Sequence, residues 1–107
     1  MRGELWTVAG GVYASKPRPS LVVQDDYFAD IDSVTVLPLT TTHTEYPLLR
    51  VKLAATQQNG LAQDSWIMID KMTTVHRSHL GQRIGRITAS ELVTVERLMT
   101  VFLGLAR

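Results

Sequence analysis

Lys16-Pro17-Arg18-Pro19 is the segment of this 107-residue chain whose residue types and spacing could most readily do chemistry. A residue before proline is kept out of the helical region, so Lys16 and Arg18 are both expected to be extended. In an extended chain residues two apart project to the same side, which sets the two cations together on a stiff loop. Such a pair could cradle a phosphate, with Arg18 the stronger partner because its guanidinium grips two oxygens in a fork. The same pattern also fits a proline-stiffened surface loop whose charges are solvated. Thr40, Thr41 and Thr42 follow a strand-like run, where a hydroxyl can hold a phosphate or an attacking oxygen, or simply satisfy the turn backbone. His43, three residues past Thr40, could share that site as an acid or base or be an exposed loop residue. His76 and His79 flank Arg77 at a spacing that matches no metal-ligand motif. Asp70 could orient a hydroxyl, act as a base, or pair with the adjacent Lys71. Trp6 and Trp66 could stack on bases, although their strand positions favour the core.

Composition narrows the chemistry. The chain has no cysteine, which excludes disulfides, thiolate nucleophiles and thiolate zinc sites. There is no Walker loop, dinucleotide fingerprint or nucleophile elbow, and neither a cofactor nor a metal is expected. Net charge is only +1, so the molecule as a whole is no basic clamp. Residues 1–70 nonetheless carry five basic and eight acidic side chains, and residues 71–107 six and two. A field this uneven could steer a polyanion to one face, or could be chance clustering on a solvated surface. Hydrophobic residues at 45% and charged residues at 20% fit a folded protein rather than a disordered one. No stretch approaches a membrane span, and an acid interrupts Met1-Arg2-Gly3-Glu4-Leu5-Trp6 where a signal peptide would begin its apolar run. A cytoplasmic protein with no membrane partner is expected. One domain over residues 1–107 follows from the length, and a core this shallow favours a homo-oligomer.

Short strands must position these groups. Residues 4–8 read as a first strand ended by Gly10-Gly11, and Ser20 to Gln24 as a buried one. The acidic stretch Asp25 to Asp32 reads as a loop wrapped around Tyr27-Phe28. Ser33 to Leu39 alternates, with Pro38 placing its end at an edge or bulge. Leu48 to Leu53 alternates with Arg50 and Lys52 on one face. Gln57-Gln58-Asn59-Gly60 turns the chain, Ser65 to Ile69 is an apolar strand, the last one expected, ended by Asp70-Lys71, and after Thr73-Thr74 the chain reads as basic and loop-like through Arg86. Thr88 and Glu91 form a capping box for one helix, whose apolar stripe is Leu92, Val95, Met99 and Phe102, with Gly104 near its end. The fold expected is mainly β with a C-terminal α-helix.

Four segments in order resemble the MazF/PemK toxin family. Arg2-Gly3-Glu4-Leu5-Trp6 is similar to its opening strand, and Arg18-Pro19-Ser20-Leu21-Val22-Val23-Gln24 to its arginine-proline strand. Leu37-Pro38-Leu39-Thr40 is similar to its strand ending in a threonine. Gly60-Leu61 through Ser65, Asp70 and Thr73 resembles the fourth segment, and Leu103-Gly104-Leu105 the helix end. The resemblance implies a small SH3-like or CcdB-like half-open barrel of about five to seven strands. It implies the toxin of a type II toxin–antitoxin module, a homodimeric, metal-independent endoribonuclease. Such an enzyme cuts single-stranded messenger RNA at short sequences by 2′-hydroxyl attack, leaving 2′,3′-cyclic phosphate and 5′-hydroxyl ends. Its catalytic residues carry over onto Arg18 and Thr40, with Asp70, His43 and Glu4 open as acid, base or orienting groups and Lys16, Gln24 and Thr41 as RNA contacts. The PemK branch carries an arginine two residues before the aspartate, where this chain has Met68. The implied partner is a MazE-like antitoxin with a disordered C-terminal segment. Two other readings stand beside it. One is a CcdB-like gyrase poison, although this chain ends Gly104-Leu105-Ala106-Arg107 without the C-terminal tryptophan such toxins rely on. The other is a degenerate domain that only binds antitoxin.

Overall fold

The computed structural model describes residues 1–9 and 16–106, so the expected stop at Gly10-Gly11 lies outside the described residues. Seven strands alternate with short turns and are followed by one helix. They are β1 (Glu4–Val8), β2 (Arg18–Val22), β3 (Ser33–Thr40), β4 (Arg50–Leu53), β5 (Ser65–Met68), β6 (Thr73–His76), β7 (Leu80–Arg86) and α1 (Ala89–Phe102). All pairings are antiparallel, in the order β4-β5-β3-β2-β1-β7, with β6 beside the first half of β3. Among the described residues β4 and β7 do not pair, so the sheet curls without closing. The expected fold class holds, with the strand number at the top of the expected range.

Alternation decides which face is dry. Leu5, Leu21 and Leu37 lie opposite one another in a row, and Leu39, Ile67 and Val51 form the next. Val95 from α1 closes over this face, with Leu92, Leu98 and Met99 packed at its margin. Each leucine buried this fully contributes about 1.5–3 kcal/mol, which makes these rows the main support of the fold. The helix begins as expected: Thr88 accepts from the Glu91 backbone while the Glu91 carboxylate accepts from the Thr88 backbone. Of the stripe, expected to serve as core or dimer contact, Val95 is buried, Leu92 and Met99 pack against the core, and Phe102 remains 45% exposed. On the opposite face Val22, Val34 and Val36 make a small second cluster with Met1, Trp6 and Leu80.

Several expectations need correction. Thr73 to Arg86 is no loop: it holds β6, a 3₁₀ turn at Arg77–His79, and β7. The sequence Leu80-Gly81-Gln82-Arg83-Ile84-Gly85-Arg86 lacks strand-like alternation because tertiary contact sets its conformation. Gly85 lets the backbone of Gln58 and Asn59 approach so closely that a Cβ there would fall 2.4 Å from it. Tyr27 and Phe28 are not wrapped by the acidic stretch. They pack edge to face on one another at 5.1 Å, and Tyr27 is 85% exposed. Pro38 sits inside β3 rather than at its end. It lies where one side of β3 changes partner, from β6 through Val36 to β5 from Leu39, so its missing N–H interrupts no ladder there. Asp70 lies in a 3₁₀ turn (Ile69–Lys71) after β5, with two strands still to follow.

Candidate functional site

Strand register assembles the site on the face of the sheet opposite the leucine rows. Val8 lies across from Arg18, Thr40 across from Trp66, and Trp66 across from Lys52. The β2–β3 register pairs Ser20 with Pro38 and Leu21 with Leu37, and the same register carried two residues further points Arg18 toward Thr40. Cross-strand partners project to one face, and adjacent strands are about 4.8 Å apart. Arg18, Thr40, Trp66 and Lys52 therefore form a line across four strands. Arg18 and Lys16 are both exposed, and among the described residues neither meets a carboxylate.

Thr40 is held for hydrogen bonding. Its Oγ1 accepts from the Thr42 backbone N–H at 3.1 Å, which pins the rotamer and leaves the hydroxyl proton to be donated outward. Thr41 is exposed beside it. His43 follows and stacks on the Trp66 ring, with centroids 4.9 Å apart and planes 16° from parallel. Trp66 is half-buried rather than in the core. Trp6 is half-buried too, and packs on the valine cluster.

The two carboxylates considered as acid or base are each committed to cations. Glu4 is four residues along β1 from Val8, about 13 Å at the usual strand rise. It accepts from Trp6 Nε1 at 3.0 Å and from Arg83 Nε at 2.8 Å. Burial pushes its carboxyl up, but these hydrogen bonds and the N-terminal ammonium outweigh burial and hold it below the usual range. Asp70 is four residues past Trp66. Arg50 Nη1 donates to its Oδ1 at 2.5 Å, and Lys71 Nζ lies 3.5 Å from Oδ2. Burial again raises its carboxyl, and the hydrogen bond and charge of Arg50 more than reverse that. Arg50 lies directly across from Met68, two residues before Asp70. The guanidinium missing at position 68 is therefore supplied to the aspartate from the neighbouring strand, a pairing visible only once β4 and β5 are in register.

Gln24 is also committed. Its amide donates to the Phe28 and Ser33 carbonyls and accepts from the Thr35 N–H, tying the 25–32 loop to β3. Of the expected residues, Thr40, Thr41 and His43 lie together beside Trp66, and Arg18, with Lys16 before it in the chain, begins the neighbouring strand β2. Beside them the 43–47 loop, β4 and β5 enclose a shallow pocket of 190 Å³. Its wall includes Arg50, Lys52 and Tyr46, which sequence reasoning did not place at the site. The alternation of Arg50 and Lys52 was the available signal.

Comparison with known proteins follows this geometry. Residues 1–103 match the model of a family described as PemK-like, MazF-like toxin of type II toxin–antitoxin system. A probable endoribonuclease MazF from Mycolicibacterium smegmatis is 48% identical over 106 residues, spanning 98% of this chain and 97% of that protein. Among solved structures, the Mycobacterium tuberculosis toxin MazF-mt6 superposes with a TM-score of 0.83 at 26% identity, covering 97% of this chain and 99% of that one. An endoribonuclease in complex with its cognate antitoxin from a mycobacterial species superposes with a TM-score of 0.76 at 19% identity, covering 100% and 95%, and attests the shared fold.

Proposed function

We propose that this chain, which belongs to the PemK-like, MazF-like toxins of type II toxin–antitoxin systems, is an endoribonuclease whose site is built on Arg18 and Thr40. The observation that supports the reading is a threonine hydroxyl whose oxygen already accepts a hydrogen bond, at the end of β3 toward which the β2–β3 register directs the exposed Arg18. RNA brings its own nucleophile. The 2′-hydroxyl oxygen bonds to the adjacent phosphorus, the bond to the 5′-oxygen breaks, and the products are a 2′,3′-cyclic phosphate and a 5′-hydroxyl. Arg18 stabilises the charge that builds on the non-bridging oxygens. Thr40 donates to one of them and fixes the phosphate for in-line attack. One group must take the 2′-hydroxyl proton and one must supply a proton to the leaving oxygen. His43, stacked on Trp66 opposite Thr40, is the candidate favoured here, whereas Asp70 and Glu4 are each committed to an arginine. Lys16 and Thr41 flank the phosphate as further contacts. No step calls for a metal or cofactor.

The whole chain, residues 1–107, acts as one toxin domain on single-stranded messenger RNA in the cytoplasm, as a homodimer. Val101, Phe102, Leu103 and Leu105 expose apolar surface at the end of the chain, which a second copy would cover. The partner is a MazE-like antitoxin whose disordered acidic segment competes with RNA for the basic line. The test is cleavage of a long single-stranded RNA by protein freed of antitoxin. Arg18→Ala is expected to slow it by about 10²–10³-fold, the loss of one preorganised charge-stabilising contact, without loss of fold. Cleavage by Arg18→Ala at the wild-type rate overturns the assignment. Gyrase inhibition with RNA left intact would instead establish the poison, and inert protein that still binds antitoxin the degenerate domain.

A further inference from the structure

His43 apart, the pocket beside Thr40 has a composition that the phosphate chemistry does not use. His43 lies flat on Trp66, Lys52 Nζ sits 5.9 Å from the centre of the same indole, and the Arg50 guanidinium carbon lies 5.5 Å from the centre of the Tyr46 ring. Thr40, Trp66 and Lys52 are consecutive cross-strand partners, so the pocket opens within two strand spacings of the phosphate site. We propose that this 190 Å³ pocket is a nucleobase subsite that takes a keto base of the RNA, stacked at the His43–Trp66 pair and hydrogen-bonded by Lys52.

Each part of the proposal follows from the lining. A flat aromatic pair half open to solvent suits a planar ring, and stacking of this kind tolerates any base. The choice among bases comes from the cations. Lys52 carries donors alone, and its partner Asp64, at 3.9 Å, is a loose surface contact. Arg50 Nη1 is already committed to Asp70 and to the Leu49 carbonyl, so the movable donor is Lys52. An ammonium at the base edge meets the carbonyl of uracil or guanine favourably, and meets the amino group that cytosine or adenine presents there unfavourably. The neighbouring site then cuts beside the seated base.

This subsite rests on the ribonuclease reading, and the experiment separates the two. In a Trp6→Phe background Trp66 is the sole indole, and its emission is titrated with oligouridylate, oligocytidylate and oligoadenylate while binding is followed in parallel by anisotropy. Oligouridylate is expected to quench Trp66 and to bind about tenfold tighter than the other two, with Lys52→Met abolishing that preference while quenching persists. Binding without change in Trp66 emission, or a preference unmoved by Lys52→Met, overturns the proposal. Cleavage of a long single-stranded RNA of mixed sequence is scored on the same protein. Cutting without a Trp66 response overturns the subsite and leaves the ribonuclease standing, whereas base-selective quenching without cutting upholds the subsite and overturns the ribonuclease.

Discussion

Replacing Arg50 by methionine tests whether the pair it makes with Asp70 is a support of the fold or a reserve of catalytic charge. The Arg50 side chain is only 10% exposed and that of Asp70 19%. Methionine keeps most of the stem's packing and removes the hydrogen bonds to Asp70 and to the Leu49 carbonyl. Breaking a buried pair by removing one member costs roughly 3–5 kcal/mol, because the other charge is left without its partner. Two features lower that figure here. Lys71 stays 3.5 Å from Asp70, and the Nε of Arg50 is already buried without a partner. A loss of about 2–3 kcal/mol is expected, which in a domain near 100 residues lowers Tm by roughly 10–20 °C. Replacing both members, Arg50→Met with Asp70→Leu, is expected to recover most of it, since an apolar pair carries no desolvation cost. The pH dependence has a definite sign. Asp70 titrates below its ordinary value in the folded protein, so its contribution is complete above about pH 4 and is lost as pH falls through the folded value. The gap between wild type and Arg50→Met should therefore narrow in acid. Thermal unfolding at pH 7 and in acid below about pH 3 reads both effects. A Tm drop at pH 7 of under about 2 °C, or a gap that widens in acid, would refute the reasoning.

Two further substitutions probe the site and the turn that braces β7. Thr40→Val keeps the shape and removes the hydroxyl, and is expected to slow cleavage about 10–100-fold with Tm little changed, while Thr40→Ser retains most activity. Equal rates for Val and Ser would show that the hydroxyl does nothing. Asn59 is buried, donates to the Ala54 carbonyl at 2.8 Å, and accepts from the Thr56 and Leu61 N–H groups. Asn59→Ala should cost about 2–4 kcal/mol by chemical denaturation, and a loss below about 0.5 kcal/mol would contradict the role given to this turn.

What the sequence disclosed, and what it hid, follows from which contacts are local. The strand-like runs at Glu4–Val8 and Ser65–Met68, the alternation from Ser33, and the Thr88–Glu91 capping box are statements about neighbours in the chain, and the structure keeps all of them. Leu80–Arg86 could not be read as a strand, because two glycines and two arginines carry no β pattern. Pairing with β1 and the approach of the 58–59 backbone hold it extended. Arg18 and Thr40 were each identifiable, yet their adjacency belongs to the β2–β3 register. The same holds for Arg50, whose partner is 20 residues away. Gln24 sits in the arginine-proline strand segment like a site residue, but its amide is spent on the loop backbone.

The most direct test of the central claim is cleavage of a long single-stranded RNA in excess EDTA, with the ends of the products mapped. Cuts at defined sequences that persist under chelation, leave 5′-hydroxyl ends, and vanish when a single 2′-deoxynucleotide replaces the residue before the cut are the expected result. Fragments with 5′-phosphate ends, or cleavage that stops when the chelator is added, would contradict attack by the RNA's own 2′-hydroxyl at an arginine–threonine site.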